Sequence, residues 1–408
     1  MTHNFFIKNF GCRLNQHEGD IIAERMLDQG HNRTQWKDAD VVIVNGCVVT
    51  ARADRKLRQF IRKVHRENPD ATILLTGCTA KAISLQLLPE IEGVETGLKS
   101  NSAMNMLQLP DFPRITGSGI TRTRACLKIQ DGCDRKCAYC IVPLVRGNSR
   151  SRPIDDIVEQ VSIFVDTGFK EIVLTGVDIG DWRQNSLRLP DLMRKILDKT
   201  GIYRLRLSSL EPPGLTGELI ELISIESRIA PHIHIPLQSG SYRLLREMNR
   251  PQYNPDEIVE KLEILRDARQ DICFGTDIII GYPRETTDDF GCTAELLQSG
   301  IFAYAHIFRF SPRPGTAAFK LEKIDNTTVD ILTRILHDID KRNRRNFARN
   351  FIGRKLEFIV ERSYGNIASG RTANYLKVHA HGKVRQGDTA DVMVKSTGEM
   401  MLEGEIVI

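Results

Sequence analysis

The chain has 408 residues, 41% hydrophobic and 27% charged, with a formal net charge of +5. That composition excludes a disordered or fibrous protein, and the length accommodates about two to four domains. No apolar run approaches the roughly 18 residues of a membrane span, and the N-terminus lacks the apolar core of a secretory signal, so a cytoplasmic protein with no membrane association is expected.

Residues 1–110 alternate short apolar runs with amphipathic ones. The runs at 5–7, 41–44 and 72–75 lead to Gly11-Cys12, Asn45-Gly46-Cys47 and Thr76-Gly77-Cys78, with helical patterns at 18–29 and 51–67. This rhythm predicts an open parallel α/β domain. A linker with Pro110, Pro113, Gly117 and Gly119 follows. Residues 120–325 predict strands at 125–129, 171–175, 204–208, 232–235, 272–280 and 303–310. Helices are predicted between them at 154–167, 189–200, 255–269 and 287–298. Six such units suit a partial (β/α)6 barrel. A helix at 328–351, within a connecting segment 326–352, leads to residues 353–408. There Leu356/Phe358/Val360, Leu376/Val378 and Ala390/Val392/Val394 alternate with polar residues between glycines, which predicts a small antiparallel β-barrel. The fold class is α/β throughout, closed by this barrel.

Nine cysteines is an odd number, and a reducing cytosol disfavours disulfides. Metal or cluster ligation is therefore the first reading and buried free thiols the second. Cys133-Asp-Arg-Lys-Cys137-Ala-Tyr-Cys140 places three thiols within eight residues, just after a predicted barrel strand. Soft sulfur ligands suit an iron–sulfur cluster or zinc, but structural zinc wants a fourth protein ligand. Three ligands on a four-iron cube leave one iron open to a small molecule. Cys12, Cys47 and Cys78 each follow glycine at the end of an apolar strand. Parallel strands share one C-terminal crevice, so these thiols can converge, each glycine letting the backbone approach a bulky guest. Cys126 and Cys273 in strands, and Cys292 on a helix, are expected to be packed. His232 and His234 are expected to be strand-face residues.

Strand ends supply candidate contacts for a bound small molecule, S-adenosylmethionine (SAM) if the resemblance given below holds for this chain: Gly176, Ser208, Ser209, Gln238, Ser239, Ile279 and Gly281. Residues 334–385 carry 13 Lys+Arg against 4 Asp+Glu, whereas residues 386–408 carry 1 against 5. The candidates for RNA contact lie in this basic stretch: Lys341, Arg342, Arg344, Arg345, Arg349, Lys355, Arg371 and Lys377.

The Cys-x3-Cys-x2-Cys loop, with Tyr139 before its third cysteine, resembles the radical SAM superfamily signature. Further motifs are Gly11-Cys-Arg-Leu-Asn-Gln16, Asn45-Gly-Cys47, Gly77-Cys78, Arg146-Gly-Asn-Ser-Arg-Ser-Arg152, Pro236-Leu-Gln-Ser-Gly-Ser241 and Phe310-Ser-Pro-Arg-Pro-Gly-Thr316. With these, nearly the whole chain resembles the radical SAM methylthiotransferase family. That resemblance implies two [4Fe–4S] clusters, on Cys133/Cys137/Cys140 and Cys12/Cys47/Cys78, two SAM molecules per turnover, and a TRAM-like RNA-binding barrel at 353–408. It also implies tRNA as partner, a flavodoxin- or ferredoxin-like electron donor and a sulfur source. Three subfamilies compete: two act on a tRNA adenosine carrying an N6 isopentenyl or threonylcarbamoyl group, and one on a ribosomal-protein aspartate. Gly11-Cys-Arg-Leu-Asn15 and Leu207-Ser-Ser-Leu-Glu-Pro212 look most like the threonylcarbamoyladenosine type. Leu144 and Arg284 depart from the family, which usually has an aromatic residue and a glycine there. The alternative of another class is an RNA-binding iron–sulfur sensor without turnover.

Overall fold

The computed structural model describes residues 2–96 and 111–407. The N-terminal unit is a five-stranded parallel sheet in the order Asn32–Arg33, Asn4–Asn9, Val41–Gly46, Thr72–Thr76, Glu95–Thr96. Strand Val41–Gly46 opens with an unbroken apolar run over 41–44 because both its faces are covered. Val42 and Val44 pack with Leu57, Ile61 and Val64 of helix Ala51–Glu67. Ile43 faces the other way, onto Ile22, Ala23 and Met26 of helix Arg13–Asp28.

The central unit is an arc of six parallel strands: Arg124–Lys128, Glu171–Thr175, Arg204–Leu207, His232–Gln238, Cys273–Ile280 and Tyr304–Arg309. Single bridges, Leu205 to Ile229 and Ser209 to His234, join its two three-stranded halves. Ala125, Leu127, Ile172, Leu174, Leu205, Leu207, Ile233 and Ile235 pack outward in the helix-covered core. Their neighbours point into the lumen, where Arg206 Nε donates to Glu171 Oε1 at 2.6 Å. The arc is open between its first and last strands, and helix Arg13–Asp28 packs against the first.

Helix Asn326–Arg349 continues from the last strand. Its buried Asp340 accepts from Ala305 N at 2.7 Å, and Asn343 Nδ2 donates to Leu297 O at 2.6 Å. The C-terminal unit is a closed five-stranded barrel in the order Lys355–Tyr364, Ile367–Thr372, Lys377–His381, Met401–Val407, Thr389–Thr397. Four of its pairings are antiparallel. The pair Lys377–His381 with Met401–Val407 is parallel, which the alternation pattern cannot distinguish. This barrel docks on the strand starts of the central arc. Arg204 Nη2 donates to Glu357 Oε1 at 2.5 Å, Arg124 Nη2 to Glu361 Oε1 at 2.6 Å, and the His232 ring stacks on Tyr375 at 4.3 Å.

Short helices Gly77–Ser84, Gly217–Ile225 and Tyr242–Glu247 go beyond what the sequence pattern predicts. At two turns or so they repeat too few apolar positions for periodicity to register. Cys273 and Cys126 are buried as expected, but Cys292 is exposed, because its position on helix Thr287–Gln298 faces away from the core.

Candidate active site between two cysteine triads

Cys12 caps the start of helix Arg13–Asp28, and its Sγ lies 3.3 Å from Asn15 Oδ1. Cys47 and Cys78 are each 6% exposed. Two asparagines lock the cysteine-bearing segments together. Asn15 Nδ2 donates to Asn45 Oδ1 at 3.0 Å and to Gly46 O at 3.1 Å, while Asn45 Nδ2 donates to Asn15 O at 2.7 Å. The glycines serve these close approaches. Gly11 has φ +117°, and a Cβ there would stand 2.5 Å from Cys47 Cβ; one on Gly77 would stand 2.2 Å from Asn45 Oδ1. Their immediate role is to let the cysteine-bearing backbones meet each other, not a guest. Gly77-Cys78 opens a helix instead of ending in a loop.

Burial pushes the Cys78 thiol up to about 12; Arg146 opposes this, while Glu18, Cys47 and Cys12 reinforce it. Cys47 is raised by burial, with Cys12 adding to it. The three thiols therefore sense one another. Cys12 is exposed, but the desolvated Cys47 and Cys78 ionise only against a strong cation or metal, and the surroundings provide for one. Arg146 Nε donates to Cys78 Sγ at 3.1 Å. Arg313, 5% exposed, is coupled electrostatically to Cys47 and Asp54.

The second triad lies on the loop after strand Arg124–Lys128. Gly132 makes its turn at φ +73°, where a Cβ would stand 2.0 Å from Asn148 O. Cys133 N donates to Gly147 O at 3.0 Å, and Cys140 N to Cys137 O at 3.0 Å. Arg135 N donates to Cys133 Sγ at 3.4 Å, and Arg250 Nη1 to Cys137 Sγ at 3.3 Å. Arg250 is 1% exposed and also reaches the Tyr139 hydroxyl (3.3 Å), Glu211 Oε2 (2.8 Å) and Pro236 O (2.8 Å). Burial pushes Cys133 up to about 11 and Cys140 up to about 12, with the other thiols of the triad contributing. Soft donors, converging and supplied with hydrogen bonds to sulfur, fit an iron–sulfur cluster held by three cysteines.

The segments that carry the two triads pack against each other. Ile141 and Val145, just past Cys140, pack against Val48, Cys78 and Ala82. Arg146 ties the two units: besides Cys78 Sγ it reaches Glu18 Oε1 (2.8 Å) and Asp131 Oδ1 (3.0 Å). A cavity of about 170 Å³ opens between Val49 and Thr50 on one side and Tyr139, Cys140 and Ile279 on the other.

Of the seven candidate SAM contacts, Gln238, at φ +79°, and Ile279 line this cavity. The buried Ser208 Oγ has no hydrogen-bond partner among the described residues. Ser209 is exposed. Gly176 is pressed onto Gln130, 2.8 Å from its carbonyl by a built Cβ. Ser239 is occupied by Thr293 Oγ1 (3.2 Å) and Ser241 N (3.0 Å), and Gly281 N by Glu285 Oε2 (2.6 Å), so local structure employs both. Arg284 takes φ +70°, a conformation glycine adopts more easily, and pairs with Glu247 at 3.0 Å. Leu144 is 44% exposed and lies against Gly315.

Lys341, Arg342, Arg345, Arg349, Lys355 and Lys377 are exposed. Arg345 pairs with Glu399 and Lys355 with Asp391, each at 2.9 Å. Two basic residues expected on the RNA face are instead engaged inside the protein. Arg344 binds Asp340 (2.7 Å) and Ala305 O (3.1 Å), and Arg371 stacks on Tyr375 at 4.3 Å and donates to its carbonyl. Both sit where the C-terminal units meet the central arc. Sequence reasoning misses Arg250 and Gln130, which carry no motif spacing, and the bonds of Glu211, which lies in the Leu207–Pro212 motif. Arg146 opens the Arg146–Arg152 motif, but nothing in that motif signals its bond to sulfur.

Residues 127–297 match the radical SAM superfamily model, and residues 4–97 match uncharacterized protein family UPF0004. A threonylcarbamoyladenosine tRNA methylthiotransferase MtaB of Thermotoga maritima is 33% identical, over 96% of this chain and 94% of its own. The protein of that name from Rickettsia prowazekii is 34% identical over 91% and 90%. A tRNA-2-methylthio-N(6)-dimethylallyladenosine synthase of Thermodesulfovibrio yellowstonii is 29% identical over 98% of both chains. The fold is shared with a radical SAM methyltransferase from Kitasatospora setae, solved with cobalamin and a [4Fe–4S] cluster, at TM-score 0.53 and 13% identity over 78% and 77% of the chains. Among the described residues no helix is long and apolar enough to cross a membrane. The radical SAM match and relatives 33% and 34% identical across nine-tenths or more of both chains establish that this chain is an enzyme of the radical SAM methylthiotransferase family.

Proposed function

We propose that the protein inserts a methylthio group at C2 of N6-threonylcarbamoyladenosine at position 37, beside the anticodon of tRNA, in the cytoplasm. The observation that carries this reading is the packing of two three-cysteine segments against each other, with Arg146 bonding Cys78 on one side and Asp131, just before Cys133, on the other. One open site would serve radical generation alone, whereas two serve radical generation and sulfur delivery. The substrate choice is supported by the names of the relatives from Thermotoga maritima and Rickettsia prowazekii.

Cys133, Cys137 and Cys140 would hold one [4Fe–4S] cluster with SAM, and Cys12, Cys47 and Cys78 a second, with two SAM molecules used per turnover. When bound, these groups supply the radical chemistry that an aromatic C–H requires, because that hydrogen has no acidity for a base to exploit. The protein's own part is positional. Arg250 fixes the radical loop by bonding Cys137, Tyr139, Glu211 and Pro236 at once. Arg146 offsets negative charge at Cys78 and fixes the spacing of the triads. Val48, Ile141 and Val145 form an apolar wall that excludes water between them. The exposed basic residues Lys341, Arg342, Arg345, Arg349, Lys355 and Lys377 would track RNA phosphates, and a flavodoxin- or ferredoxin-like protein would supply electrons.

The test is nucleoside mass spectrometry of tRNA after incubation with reconstituted enzyme, SAM and strong reductant. The expected product is 2-methylthio-N6-threonylcarbamoyladenosine. Methylthiolation of dimethylallyladenosine instead would overturn the substrate assignment. No modified nucleoside and no 5′-deoxyadenosine would favour a sensor.

A further inference from the structure

The lumen of the central arc holds a chain of hydrogen bonds that the cysteine triads do not use. His232 Nε2 lies 2.8 Å from the Tyr304 hydroxyl, which lies 3.2 Å from His234 Nδ1. His234 Nε2 is 3.0 Å from Asp277 Oδ1, and the same oxygen is 3.1 Å from His306 Nδ1. Asp277 and His306 are register partners on adjacent parallel strands. His232 and His234 are buried, but the His306 side chain is 52% exposed. Asp277 also lines the cavity beside Cys140, so this network ends next to the loop that carries the Cys133/Cys137/Cys140 triad.

Both imidazoles direct a nitrogen at one carboxylate oxygen, and an acceptor is satisfied only if each carries its hydrogen there. Burial works against an ionised Asp277, but the His234 charge and the hydrogen bonds from His234 and His306 hold it well below the usual carboxylate range. With Nδ1 directed at Asp277, His306 has its Nε2 edge left for a ligand, beside the rings of Tyr304 and Phe308. Deeper in the lumen the Arg206–Glu171 pair continues the polar lining. A hydrocarbon substituent there would strip water from these groups and return no hydrogen bond, whereas a polar one would satisfy them.

We propose that His306, held by Asp277 and backed by His234, binds the carboxylate on the N6 substituent of the substrate adenosine and thereby selects against hydrocarbon substituents. This rests on the threonylcarbamoyl reading above: that group ends in a carboxylate, and a dimethylallyl group has no polar atom.

The test uses the reconstituted holoenzyme and three anticodon stem-loop RNAs. Their N6 groups are threonylcarbamoyl, its carboxamide analogue and dimethylallyl. Wild type, His306→Gln and Asp277→Asn are compared, each normalised to iron content and to RNA-free SAM cleavage. Wild type should prefer the carboxylate over the carboxamide by about tenfold or more in kcat/KM, chiefly through KM. In His306→Gln that ratio should fall toward one. A ratio unchanged in His306→Gln, with wild type still acting on the threonylcarbamoyl RNA, overturns the proposal and leaves the function standing. Wild type acting on the dimethylallyl RNA alone overturns both. Zinc retained at about one per chain and lost in Asp277→Asn would overturn it in favour of a metal site, since His and carboxylate donors also suit that ion.

Discussion

Arg146 and Gly11 show how single residues govern the Cys12/Cys47/Cys78 triad. Arg146 is almost buried and faces Cys78, Glu18 and Asp131 together. Its removal takes the donor from Cys78 and the bidentate partner from Glu18, leaving only Lys128 to serve Asp131 at 3.0 Å and Glu18 at 4.0 Å, and breaking a buried pair costs about 3–5 kcal/mol. Arg146→Met is therefore expected to lose the N-terminal cluster. Iron should fall from about eight to about four per chain, with SAM cleavage retained, as read by iron quantitation and 5′-deoxyadenosine yield. Gly11→Ala should lose the same cluster by a steric route, because its Cβ would meet Cys47 in a left-handed backbone. Iron content again gives the readout, and Gly30→Ala is the control, since it shares a positive φ but has no neighbour within 4 Å. Arg250→Met should act on the other side, lowering SAM cleavage because Cys137 and Tyr139 lose their common donor.

At the scale of elements, legibility in the sequence follows periodicity and fails where tertiary contact decides. The six strands of the arc and helices Ala51–Glu67 and Thr287–Gln298 can be read because long alternating or amphipathic patterns survive one-sided burial. The Gly-Cys endings point to one crevice because parallel strands share a direction. The Asn15–Asn45 lock cannot be read, since it joins side chains 30 residues apart. Nor can the His–Asp–His chain, whose members sit on three different strands and look singly like polar lumen residues. The separate placement of the triads on two units leads to a test of division of labour. Cys12, Cys47 and Cys78 all changed to Ala should leave the central arc folded, since its core is its own. That variant should still cleave SAM and form no methylthio product. Undiminished methylthiolation would sink the two-cluster scheme and reduce these residues to packed thiols.

For the whole molecule, the two ends of the central arc hold different partners. The cysteine loops lie at the strand ends and the C-terminal barrel docks at the strand starts, one strand length away. Strands of about six residues at roughly 3.3 Å each separate them by about 20 Å, so RNA bound, as proposed, by the C-terminal unit would have to span that distance to reach the cavity. The basic residues divide into two groups on structural grounds. Lys341, Arg342, Arg349 and Lys377 are exposed, whereas Arg344 joins Asp340 and Ala305 within the fold. Changing the first four to Ala should weaken tRNA binding and reduce the salt dependence of the affinity, by about 0.7–0.9 in slope for each phosphate no longer neutralised. RNA-free SAM cleavage and thermal stability should hardly move, because exposed long side chains contribute little to folding. Arg344→Ala should do the reverse, lowering the melting temperature and leaving the salt slope in place. The measurement is tRNA affinity across a salt series beside a thermal melt. A steep slope that survives the fourfold change would place the RNA on another face of the molecule.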